Sequence, residues 1–81
     1  MINDHFKISP NPFSQSSTLY LKHIPEDCLF RMYDLTGRIV NELHPDKTET
    51  LIERKKLDGG VYYFELTGKN FAVHKGKLIL Y

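Results

Sequence analysis

Leu57-Asp58-Gly59-Gly60-Val61-Tyr62-Tyr63-Phe64-Glu65-Leu66 is the stretch on which the reading of this chain turns. Tyr62, Phe64 and Leu66 alternate with Val61, Tyr63 and Glu65. A period of two is the mark of a strand with one buried face, and the first set is the more apolar. Asp58-Gly59-Gly60 ahead of it is a turn. A tyrosine near the start of such a strand can tie its hydroxyl back to the loop it has just left, forming a tyrosine corner. Burying a ring of that size contributes about 1.5–3 kcal/mol from apolar area alone.

The same rhythm runs outward in both directions. Downstream, Gly68-Lys69-Asn70 closes a hairpin and Phe71 to Leu80 forms a last strand, where Gly76 suggests a bulge or bend. Upstream, strands are predicted at Phe6–Ser9, Thr18–Lys22, Cys28–Asp34, Arg38–Leu43 and Glu49–Arg54. Turn residues separate them: Pro10-Asn11-Pro12, Pro25-Glu26-Asp27, Leu35-Thr36-Gly37 and His44-Pro45-Asp46-Lys47. Ile39 and Val40 are adjacent and both apolar, so a bulge is expected there. No helical spacing is sustained over ten residues. Seven antiparallel strands and the D-x-G-x-Y pattern predict an all-β, immunoglobulin-like β-sandwich. Cys28, Phe30, Met32, Ile52, Tyr62, Phe64 and Leu66 are its expected core.

Composition narrows the function. The chain has 81 residues, enough for one small domain. Its net charge is +1, which makes no electrostatic case for nucleic acid or an anionic membrane. Apolar residues make up 41% and charged residues 26%, as in ordinary globular domains. No apolar run approaches the roughly 18 residues that span a bilayer. The N-terminus lacks the basic-then-apolar pattern of a secretory signal. An exported domain of this kind would take its signal from a longer parent, with Met1 either an artificial start or a mispredicted gene start. Cys28 is the single cysteine, so no internal disulfide forms.

No catalytic or metal-binding constellation stands out. His5, His23, His44 and His74 are not spaced as ligand pairs and read as exposed loop and strand residues. Cys28 shares a face with Phe30 and Met32 and reads as a small buried hydrophobe, not a nucleophile. Ser14, Ser16 and Ser17 lack a nucleophile elbow. The expectation is a domain that is not an enzyme and carries no cofactor and no metal. Lys69, Lys75 and Lys77 fall on the final hairpin, either as edge protection or as a recognition feature.

Four motifs, in order, resemble one family. Ile8-Ser9-Pro10-Asn11-Pro12-Phe13 is similar to the opening "YPNPF" of type IX (Por) secretion C-terminal sorting domains. Phe30 to Val40 resembles their "V-x-I-Y-D-x-x-G-K/R-x-V" hairpin. Leu57 to Leu66 resembles "L-x-x-G-x-Y-x-x-x-L", and Lys75 to Tyr81 the terminal "K-K-L-I-V-x". The departures are Gly76 and the final Tyr81. The resemblance implies a sorting domain over residues 8–81, with 1–7 a linker or artificial start too short for a sortase site.

It also implies partners and a route. The cargo lies upstream in the same precursor and crosses the inner membrane on its own signal. The tag passes through the periplasm and meets the type IX translocon and shuttle proteins. A surface sortase then removes it, leaving the cargo secreted or attached to the cell surface. Lys75, Lys77, Leu78, Ile79, Leu80 and Tyr81 are the implied recognition residues. Pro10, Asn11, Pro12, Phe13, Asp34, Gly37, Gly60 and Tyr62 are mainly structural. Self-association through an edge strand is a further possibility. The rival reading is a fibronectin-like or carbohydrate-binding adhesion module, with Tyr20, Tyr33 and Tyr63 as its exposed aromatic platform.

Overall fold

Alternating apolar residues need a second apolar face to cover them, and two sheets satisfy each other. The computed structural model describes residues 5–81. Its described residues form seven strands and no helix: β1 (Phe6–Ser9), β2 (Ser16–Leu21), β3 (Leu29–Tyr33), β4 (Ile39–Leu43), β5 (Glu49–Glu53), β6 (Gly60–Gly68) and β7 (Phe71–Leu80). One sheet has the order β1-β2-β5 and the other β4-β3-β6-β7. Every pairing between these strands is antiparallel.

The inward residues of both sheets make one core. Phe6, Ile8, Leu19, Leu21 and Ile52 come from the first sheet. Phe30, Met32, Tyr62, Phe64, Leu66, Leu78 and Leu80 come from the second. The Phe64 ring stands at its centre, stacked on Phe30 at 5.7 Å and edge-on to Phe6 at 5.9 Å. All seven residues expected in the core are buried. Cys28 is among them, and burial pushes its thiol pKa up.

Two irregularities were expected from sequence. The first is present: Met32 faces Asn41 and Tyr33 faces Ile39, so Val40 is the extra residue of a bulge. The second lies elsewhere. Gly76 pairs regularly with Phe64, facing inward. The slip falls at the hairpin end, between Leu66↔His74 and Gly68↔Phe71, so Thr67 stands against both Ala72 and Val73. The turn imposes it, with Asn70 at φ 55.

The predicted linker over residues 1–7 is narrowed. Phe6 and Lys7 belong to β1, opposite Leu21 and Tyr20. Met1 and its three successors lie outside the described residues.

Candidate functional site

The implied recognition residues lie on β7, an edge strand paired to β6 along its length. Alternation splits them. Lys75, Lys77 and Ile79 project from the outer face, and Tyr81 is exposed just beyond. Leu78 and Leu80 point the other way and are 0% and 2% exposed. The terminal motif is therefore split between the core and the outer face of the sheet.

The outer edge of β7 is half occupied. The Phe13 N–H donates to the Ile79 carbonyl at 3.0 Å, and the Tyr81 N–H donates to the Phe13 carbonyl at 3.1 Å. This makes a short parallel bridge. One step back, the Asn11 side-chain amide behaves like a peptide group. Its Nδ2 donates to the Lys77 carbonyl at 2.9 Å, and its Oδ1 accepts from the Ile79 N–H at 3.0 Å. Pro10-Asn11-Pro12-Phe13, read from sequence as a turn, is therefore also an edge clamp. The Phe13 ring is buried, and the Pro10 carbonyl accepts the buried Ser17 hydroxyl at 2.6 Å.

Arg54 completes the clamp, and sequence reading missed it. Its Nε donates to the Leu57 carbonyl at 2.9 Å, and its Nη1 to the Ser14 carbonyl at 3.0 Å and the Tyr81 carbonyl at 2.7 Å. One guanidinium thus joins three segments, as its rigid fork of donors permits. The sequence places Arg54 at the end of the fifth strand, where a basic side chain looks solvated, and only the fold brings the Ser14 and Tyr81 carbonyls to it. Gly59 belongs to the same corner: a Cβ there would stand 2.7 Å from the Tyr81 carbonyl oxygen.

The remaining motif residues have structural work. The Tyr62 hydroxyl donates to the Asp58 carbonyl at 2.6 Å, which is the expected corner. Gly60 precedes it at φ 149. Asp34 organises the β3–β4 turn. Its Oδ1 accepts from the Thr36 hydroxyl at 2.6 Å and from the Thr36 and Arg38 N–H groups at 2.9 and 3.1 Å. Its Oδ2 accepts from Arg38 Nε at 3.0 Å. The Thr36 hydroxyl first, then the two amides and Arg38, lower its pKa to about 2. Gly37 takes φ 88 in that turn, where a side chain would be strained.

The outer face of the four-stranded sheet carries a row of alternating charge. Arg31 meets Glu42 at 2.9 Å, and Lys75 meets Glu65 at 3.7 Å. Arg31 and Glu65 are register partners between them. Beside this row Tyr33 faces Tyr63 across β3 and β6. Tyr20 is on the other sheet, under Lys7 Nζ at 5.4 Å. The three tyrosines therefore do not form one platform.

The histidines are not all on the surface. His74 is half-buried, 5.0 Å from the Phe6 ring and 5.7 Å from His5, because even positions of β7 face inward. Among the described residues no group of three or more His, Cys, Asp or Glu side chains could hold a metal ion.

The fold and site define a small all-β sandwich with its last strand clamped from the opposite end of the chain and a short row of side chains displayed on it. The model of the secretion system C-terminal sorting domain matches residues 7–81, and the chain belongs to that family. Its role is that of a C-terminal sorting signal for type IX secretion. Proteins with such a tail are exported, to the cell surface or beyond.

Comparison with curated proteins finds no match. Among solved structures, the chain is similar to part of PorZ, described as an essential bacterial surface component of the type-IX secretion system of Porphyromonas gingivalis. The likeness has a TM-score of 0.78 at 18% identity and covers 96% of this chain and 12% of that one. At that identity it shows the shared fold.

Proposed function

We propose that the export machinery reads the outward row Lys75, Lys77, Ile79 and Tyr81, while Leu78 and Leu80 hold that row in place. The observation that supports this is the in–out division of the strand on an edge of the sheet. A folded domain can offer a partner only what faces solvent. In this reading the tag crosses the periplasm with its cargo and engages the translocon and shuttle proteins. A surface sortase then cuts it off, and the cargo is anchored or released.

The domain is further read as immunoglobulin-like. The tyrosine corner on β6 supports this, as does the order β4-β3-β6-β7, in which β3, β6 and β7 stand as the C, F and G strands of such a sandwich with one further strand beside C. It is also read as having no turnover of its own. Cys28, the strongest nucleophile in the sequence, sits in the core. Esterase, peptidase and glycosidase substrates should show only background; activity that vanishes in Cys28→Ala would overturn this.

The sorting surface is tested with a reporter fused ahead of the whole chain. Lys75→Ala should weaken export, because an exposed ion pair contributes only about 0–1 kcal/mol. Replacing Lys75, Lys77 and Ile79 together by Ser should leave the reporter in the periplasm, with the domain still folded by circular dichroism. Full export of that folded variant would remove the outward row from consideration.

A further inference from the structure

The clamp leaves one interval of the β7 edge open. The contacts of Asn11 and Phe13 use the Lys77 carbonyl, both main-chain groups of Ile79 and the Tyr81 N–H. Odd-numbered residues thus aim their main chain away from β6 and toward the open side. The register with β6 is unbroken from Leu80 back to His74, so Lys75 aims the same way. Its N–H and carbonyl, and the N–H of Lys77, lie along this edge with no partner among the described residues. The interval has two stops. At one end Asn11 takes the Lys77 carbonyl. At the other the irregularity at Ala72 and Val73 breaks the ladder, and bulges turn an edge away from pairing.

We propose that this interval, centred on Lys75, is a docking slot for a short extended acidic segment of a partner protein, added to the sheet as a strand. That the partner belongs to the export machinery rests on the sorting reading above. Lys75 would exchange both main-chain bonds with one partner residue, and the Lys77 N–H would supply a third.

Charge selects the occupant. The Lys75 and Lys77 side chains rise on the same face, 72% exposed in the case of Lys75. The facing groups on β6 are Glu65, 3.7 Å from Lys75, and the uncharged Tyr63 opposite Lys77. One carboxylate against two ammonium groups leaves the slot cationic. Alternating carboxylates on an added strand would lie beside both lysines, within about 4.5–5.5 Å between β-carbons. A second copy is disfavoured, because antiparallel pairing about Lys75 would set two lysines against each other, and like charges directly opposite destabilise a sheet.

The test uses the 81-residue chain and two blocked pentapeptides, Val-Glu-Val-Glu-Val and Val-Lys-Val-Lys-Val, with amide exchange followed by nuclear magnetic resonance. The acidic peptide should slow exchange at the Lys75 and Lys77 amides by about tenfold or more, and the basic one should not. Lys75→Pro removes an amide that β6 does not use, and should abolish the protection. The pair Lys75→Glu with Lys77→Glu should reverse the peptide preference, and it carries the test if the proline variant does not fold. Protection at another edge, or equal response to both peptides, would sink the proposal. So would protection that appears without peptide and rises with protein concentration, since a second copy would then fill the slot. Export is read separately. If wild-type fusions are exported and the double Glu variant is exported equally well, the slot is wrong and sorting stands. If wild-type fusions are not exported, the sorting reading fails, and the peptide result still decides the slot.

Discussion

Lys77 to Leu80 are paired with β6 within the sheet, and Lys77, Ile79 and Tyr81 bond to Asn11, Phe13 or Arg54 on the other side. His74 to Gly76 share the same strand and the same partner β6, yet among the described residues their outer edge has no second strand. The difference teaches that one strand can serve two purposes when a segment far away in sequence covers only half of it. The covered half fixes the strand in the core. The uncovered half keeps main-chain groups for a partner, and its lysines guard them against random pairing.

The comparison can be broken most forcefully from inside the core. Tyr62 pairs with Leu78 beneath the clamped half. Tyr62→Ala should cost about 3–5 kcal/mol, because it leaves a cavity and loses the corner bond. Tyr62→Phe should cost about 0.5–1.5 kcal/mol, the bond alone. Urea midpoints separate the two, and equal midpoints for wild type and Tyr62→Ala would refute the buried role.

The next contrast is between neighbours on one strand. Leu78→Ala should cost about 2–5 kcal/mol. Ile79→Ala, on the outer face, should cost much less, of order 1 kcal/mol for a half-exposed side chain. Similar midpoints for both would mean that the strand's faces are assigned wrongly.

Smaller effects sharpen the boundary between the halves. Arg54→Ala should destabilise by about 1.5–3 kcal/mol, since the donor is charged. Asn11→Ala loses two neutral hydrogen bonds at an exposed site, about 1 kcal/mol. Both should speed amide exchange at Ile79 and Tyr81 while leaving His74 and Gly76, whose main chain faces β6, unchanged. Acceleration spread evenly along β7 would show that the two halves open as one unit.

The smallest effect is at the β3–β4 turn. The Asp34 pKa lies at about 2 in the folded chain, below its value of about 3.9 in an unfolded one. A depressed carboxyl contributes stability that is complete above the unfolded pKa and is lost as pH falls through the folded one. Wild type should therefore lose slightly more stability than Asp34→Asn between pH 4 and 2. Parallel stability curves over that window would show that the turn contributes nothing through this charge.

Much of this architecture is legible in the residues themselves. Alternation at Val61 to Leu66 set the face of β6, and a tyrosine four places after Asp58 was enough to expect the corner bond, because both are local in sequence. The doubled apolar pair Ile39-Val40 likewise announced its bulge. The family likeness rests on such local patterns as well. Leu78 and Leu80 alternate with Ile79 just as plainly, but three apolar residues in a row do not say which face is buried. That was decided by the register with β6. The Gly76 bulge failed for a related reason: glycine permits a bend, and only pairing shows whether one occurs.

The sequence by itself determined the strands, their turns and the inward face of most of them, since those follow from periodicity and from backbone limits at glycine and proline. Tertiary structure alone decided that Asn11 and Phe13 lie along β7, that Arg54 reaches three carbonyls, and that Lys75 is left at an open interval of edge. Apart from the local Arg54–Leu57 bond, these contacts join positions 27 to 68 residues apart, as in Arg54–Tyr81 and Asn11–Ile79. No local pattern encodes such a meeting, because it depends on how two sheets stack and where their edges come together.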